Sequence, residues 1–171
     1  MQTRGRSQAG FTLLELVIGI LVSAIAITLL TSTLYPQADK AGETLQRMRS
    51  AELAHSILNE IWGKRFDENS GVNGGVPACG SADGVPCADD PTGPSSKNRN
   101  DFDNVSDYHG LTINSLMLNS SQRYVDRYPN FLMSVSVGYR DSSTKAQKLI
   151  TVTVTTPDGE DIVYQAIRSN Y

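Results

Sequence analysis

Between Phe11 and Tyr35 the sequence carries a single charge, Glu15, and between Gly71 and Asn104 it has almost no bulky apolar side chain. The first scarcity excludes an ordinary solvent-facing element at the N-terminus. The second excludes a core-forming segment in the middle of the chain. The 171 residues contain two histidines and two cysteines. A zinc site normally takes four ligands, and His55 and His109 lie far from Cys79 and Cys87 in different elements. There is no Gly-x-Ser-x-Gly, and Lys64 after Gly63 lacks the upstream glycine of a phosphate-binding loop. His55 falls on the polar side of a helical pattern and His109 in a turn, so both read as surface residues. No nucleophile–base arrangement stands out. The sequence reads as no enzyme and implies no cofactor.

Cation-rich stretches are also missing. The net charge is −3, and the first ten residues hold Arg4 and Arg6 without an acid. The remainder is therefore more acidic still, with no basic stripe of the kind nucleic acid requires.

Residues Leu13 to Leu30 form a nearly unbroken apolar run that stays apolar from Phe11 to Leu34. At ~1.5 Å rise per residue, ~23 helical residues span ~35 Å, enough to cross a bilayer core. Lipid offers the backbone no partners, so the run must be helical. Arg4 and Arg6 precede it, and the positive-inside rule keeps them cytoplasmic with the rest of the chain outside. A cleaved secretory signal fits poorly: the run is too long, and Ala24-Ile25-Ala26 lies in its middle instead of following it. An oxidising compartment beyond the membrane then permits a disulfide between Cys79 and Cys87, which would restrict a loop that has little core of its own.

Glu15 is unexplained by a plain anchor, because a carboxylate within a span costs about 2.5–3.5 kcal/mol. One reading places it near the interface, reaching water. The words around it give another. Gly10-Phe11-Thr12-Leu13-Leu14-Glu15, after a short, polar, basic segment, closely resembles the type IV prepilin signature. The resemblance implies a leader of residues 1–10, cut between Gly10 and Phe11 by a prepilin peptidase that then methylates the Phe11 amine. It implies that Glu15 faces the amine of a neighbouring subunit in a fibre. It also implies as partners other major and minor pilins, reached through the N-terminal helix, and an inner-membrane pilus assembly platform. The subunit would sit in the inner membrane as a single pass with its N-terminus cytoplasmic, and then on the pilus at the cell surface.

Beyond the span, Pro36 is expected to break or kink the helix. Ala38, Ala41, Leu45, Met48, Ala51, Ala54, Leu58 and Ile61 then recur at steps of three or four, widened by Ile57 and Trp62, and Gly63 is a plausible stop. Glu43 with Arg47 and Glu60 with Lys64 are expected on the wet side at i,i+4. Near the C-terminus, Phe131 to Tyr139, Ile150 to Thr155 and Glu160 to Ile167 alternate as strands, with Thr156-Pro157-Asp158-Gly159 as a tight turn. The expected fold is α+β, a long N-terminal helix on a C-terminal antiparallel sheet, which is also the pilin architecture. The expected organisation is leader 1–10, transmembrane and polymerisation helix 11–35, amphipathic continuation 36–66, and globular domain 67–171. That domain carries an irregular disulfide loop at 70–104 and a β-meander at 130–168.

A narrower resemblance, to MshD-type minor pilins of the mannose-sensitive haemagglutinin (MSHA) pilus, rests on three stretches. They are Leu58-Asn59-Glu60-Ile61 through Lys64-Arg65-Phe66-Asp67-Glu68, Asp101 through Gly110, and Ile150 through Gly159. It implies a minor pilin in a pilus used for attachment; a type II secretion pseudopilin and a membrane-tethered periplasmic binding domain are the alternatives. Asp101, Asp103 and Asp107, with Asp89 and Asp90 nearby, form a partial oxygen-ligand pattern for Ca²⁺. They lack the glycine and closing glutamate of an EF-hand, and a solvated turn accounts for them equally.

Overall fold

The computed structural model describes residues 10–73 and 75–170, except for the side chains of residues 35–39. Arg4, Arg6 and most of the expected leader lie outside the described residues, as does the side chain of Ala38. The chain divides into two compact units, Met1–Thr44 and Leu45–Tyr171.

Helix α1 (Leu13–Trp62) contributes to both units. The helix passes through Pro36 without interruption, so the expected break does not occur. A proline in a helix interior costs about 3 kcal/mol. One missing bond does not end a long cooperative ladder that is helical on both sides. Gly63 does mark the stop, where its N–H donates to Glu60 O at 3.2 Å.

In the second unit, α1 packs on a three-stranded antiparallel sheet of order β1-β2-β3. The strands are β1 (Leu132–Tyr139), β2 (Gln147–Thr155) and β3 (Asp161–Ser169). Val135 pairs with Val152, and Val152 with Tyr164. This register puts Met133, Val135 and Val137 in line with Ile150, Val152 and Val154 on the inner face, where they join the core. Gly159 takes φ +85° in the β2–β3 turn, a conformation that glycine adopts without penalty. Thr156 closes that turn by donating from its N–H to Glu160 O at 2.9 Å.

The helix face that meets the sheet differs from the expected stripe. Ser50, Leu53, Ala54, Ile57, Leu58 and Ile61 are buried, whereas Leu45 is 58% and Met48 65% exposed. The reason is rotational. Successive steps of three residues fall short of a turn, and at ~100° per residue Leu45 ends up about half a turn away from Ala54. Glu60 is not on the wet side either. Its side chain is 12% exposed and faces Arg99, while Lys64 Nζ donates to Phe102 O at 2.6 Å.

Candidate functional site

The N-terminal unit begins with a cap. Thr12 Oγ1 accepts from Glu15 N–H at 3.3 Å, and Thr12 O accepts from Leu16 N–H at 3.2 Å. Glu15 therefore lies in the first turn, where the helix dipole favours a negative charge. Leu13–Leu34 is long and apolar enough to cross a membrane, with mean hydropathy 2.6 over 22 residues and none of it buried. Large apolar side chains are exposed on every side of this stretch, as a lipid-facing helix requires. Its hydroxyls do not break the pattern. Ser23 Oγ donates to Gly19 O and Thr28 Oγ1 to Ala24 O, both at 2.8 Å, and Thr31 returns in the same way to Ile27 O. Each is satisfied within the helix, so none presents an unpaired donor to hydrocarbon. Glu15 is the one charged side chain of the span.

Cys79 and Cys87 are joined in a disulfide, as expected. Their loop closes on itself through Gly80 N–H to Val85 O at 2.7 Å and is fastened from outside at three places. Asn69 Nδ2 donates to Pro86 O at 2.8 Å, Asn170 Nδ2 to Cys79 O at 2.8 Å, and Lys145 Nζ to Cys87 O at 3.2 Å. A segment without a hydrophobic core is thus held by a covalent tie and by polar side chains from both sides of the fold.

The aspartates considered for calcium are not brought together as a ligand set. Asp103 is bridged by Lys97 at 2.7 Å and by Arg65, and Asp107 accepts from Lys97 Nζ at 2.9 Å. Asp101 accepts from Asn98 Nδ2 at 3.1 Å. Asp89 pairs with Lys145 at 2.7 Å, and Asp90 accepts from Tyr139 N–H at 2.6 Å. Among the described residues no group of three metal-ligating side chains forms. Burial raises the Asp103 carboxyl, but hydrogen bonds from Lys97 and other neighbours outweigh it and hold the group well below the usual carboxylate range. These acids organise the turn around Asn104, which itself accepts from Ser106 N–H at 2.9 Å. His55 is exposed, and His109 Nδ1 accepts from Val137 N–H at 3.1 Å beside β1.

Two buried ionic networks escaped the sequence reading. In the first, Glu60 accepts both Arg99 Nη groups at 2.7 and 2.6 Å and the Tyr108 hydroxyl at 2.6 Å. Arg99 also donates to Leu116 O and the Tyr124 hydroxyl, each at 3.1 Å. Burial works against the guanidinium's charge, yet Glu60 more than restores it, and Arg99 stays charged. In the second, Lys148 and Asp67 meet with both side chains wholly buried. A signal for Lys148 existed: it shares the inner-face parity of Ile150, Val152 and Val154 on β2. The partner of Arg99 had no such signal, because Arg99 and Glu60 are brought together only by the tertiary fold.

The family model for the prokaryotic N-terminal methylation motif matches residues 5–31. The match supports a type IV pilin-like prepilin and, with the apolar helix, membrane anchoring. The α+β fold, a long N-terminal apolar helix with a three-stranded antiparallel sheet, is consistent with that class, whose members are structural subunits and not enzymes. No curated protein and no solved structure matches the chain.

Proposed function

We propose that the protein is a minor pilin, cut between Gly10 and Phe11 by a prepilin peptidase, methylated on Phe11, and incorporated into or priming a type IV pilus for surface attachment. One observation carries this reading. The methylation motif at residues 5–31 overlaps a span in which Glu15 is the one charge, five residues after the expected cut. Cutting on the cytoplasmic face leaves the apolar helix attached and creates a positive amine at its start. In a fibre, the Glu15 carboxylate pairs with the amine of the next subunit, so a charge that is costly in lipid sets register in the assembly.

The narrower assignment, an MshD-type minor pilin of the MSHA pilus, is supported by the wording at Leu58–Glu68, Asp101–Gly110 and Ile150–Gly159. The pseudopilin alternative shares the motif and helix and is separated by the neighbouring genes. The tethered-domain alternative requires no assembly role for Glu15. The test is Glu15→Ala. Cleavage and insertion should persist, while the share of cleaved protein found in sheared fibres falls. A buried amine without its partner costs on the order of 3–5 kcal/mol. At ~1.4 kcal/mol per decade, incorporation drops by two orders of magnitude or more. Normal abundance in fibres would remove the register role and leave the Glu15 carboxylate as an interfacial bystander.

A further inference from the structure

Asp67 lies in the segment that follows α1, and Lys148 lies on the central strand β2. Both side chains are wholly excluded from solvent, with Nζ 2.7 Å from Oδ2. The rings of Phe66 and Tyr139 stand 4.8 and 4.9 Å from Nζ and wall the pair with aromatic carbon. Asp67 Oδ1 accepts the backbone N–H groups of Asn69 and Ala88, each at 3.1 Å. Asp67 Oδ2 also accepts the Tyr139 hydroxyl at 2.9 Å. Phe66 O at 3.0 Å and Ser106 Oγ at 2.7 Å accept from the same ammonium.

Taken together, these contacts form an acyl-transfer geometry. An amine is held against a carboxyl group, in a dry site where proximity replaces a bimolecular encounter. Two N–H groups converge on Oδ1, the donor pair that stabilises an oxyanion as it develops. A hydroxyl donor already touches Oδ2, the oxygen that would leave.

We infer that Lys148 and Asp67 condense in the folded domain to an intramolecular isopeptide bond between Nζ and Cγ. A proton first passes from Nζ to Oδ2, giving the neutral amine and acid. The nitrogen lone pair then attacks Cγ, and the charge that builds on Oδ1 is met by the Asn69 and Ala88 N–H groups. The Cγ–Oδ2 bond breaks and Oδ2 departs as water, assisted by the Tyr139 hydroxyl. Two of the three ammonium protons leave in that water and the third stays on the amide nitrogen. The step needs no oxidant, metal or cofactor.

The electrostatics set its pace. Burial pushes the Lys148 ammonium below the ordinary lysine value, and Asp67 restores only part of the loss. Burial raises the Asp67 carboxyl, but hydrogen bonds from Lys148 and the Ala88 amide outweigh it and keep it low. The starting state is therefore an ion pair, and the neutral pair is a minor form. The reaction is a slow maturation that follows folding. Its product ties the segment after α1 covalently to the middle of the sheet, which resists separation of helix and sheet under load.

The experiment is the intact mass of the full chain, purified from membranes in detergent, then denatured and reduced. The expected result is a mass one water below that required by the sequence from the same N-terminus. Proteolysis should give a branched peptide containing both Asp67 and Lys148. Lys148→Arg keeps the charge but removes the nucleophilic amine, and should restore the full mass. Full mass in the wild-type chain would overturn the inference. So would a water lost elsewhere, with Asp67 and Lys148 recovered in separate linear peptides. Because the wild-type protein decides the matter, the result does not depend on a variant folding.

Discussion

Replacing Glu60 with alanine should unfold the globular unit far more readily than any surface change, and the structure says by how much. The carboxylate accepts three hydrogen bonds of 2.6–2.7 Å, two from Arg99 and one from the Tyr108 hydroxyl. The Arg99 side chain is 6% exposed, and Tyr108 is fully buried. Alanine at position 60 leaves the guanidinium in the interior with only Leu116 O, the Tyr124 hydroxyl and the faces of Phe102 and Tyr108 for company. Breaking such a pair from one side costs about 3–5 kcal/mol. That is a large share of the ~5–15 kcal/mol that holds a typical domain together. With a urea slope near ~2 kcal/mol per M, the unfolding midpoint should fall by ~1.5–2.5 M. The assay is urea unfolding of the full chain in mild detergent, followed by near-ultraviolet circular dichroism. Glu60→Leu combined with Arg99→Met removes both charges and should recover most of the loss, giving a coupling energy well above that of an exposed pair. A Glu60→Ala loss below about 1 kcal/mol would show that the pair is solvated like a surface bridge and refute the reasoning.

Further outcomes follow from three other parts of the fold. Alkylation before reduction should leave Cys79 and Cys87 unlabelled in exported protein. Replacing both by serine should cost up to about 2.5 kcal/mol, since the bond spans a sequence separation of 8. Gly110→Ala should destabilise by about 1 kcal/mol or more, because Gly110 sits at φ +77° and an added Cβ would lie 2.7 Å from Pro94 Cγ; thermal unfolding reads this directly. Asp103 is held below its ordinary value in the folded state, so the unfolded chain takes up the proton first as pH falls. The stabilisation is complete above the unfolded value of about 4 and is lost as pH drops towards the folded one. Urea midpoints measured from about pH 6 to pH 2 should therefore decline less steeply in Asp103→Asn than in wild type.

Local signals carried much of this structure. The apolar run from Phe11, the strand alternation ending in Thr156-Pro157-Asp158-Gly159 and the stop at Gly63 each depend on neighbouring residues. The corresponding elements formed. Geometry over longer distances was less legible. A stripe through Leu45 and Met48 looks periodic because it runs in three-residue steps, although rotation carries it off the buried face. Glu60 with Lys64 suggested a solvent-facing pair, yet Glu60 turns inward to a residue whose position only the folded loop determines. The aspartates from Asp101 to Asp107 resembled a cation site because their partners, Lys97 and Arg65, approach from outside the motif. Lys148 was readable in principle, since β2 parity places it inside, but its partner Asp67 was not.

The most direct test of the central claim is mass spectrometry of the N-terminus of the protein recovered from cells that make it together with a prepilin peptidase. The account predicts a chain that begins at Phe11 and carries a methyl group on its α-amine. A mature chain that still begins at Met1, or one that begins anywhere beyond Leu13, would contradict it.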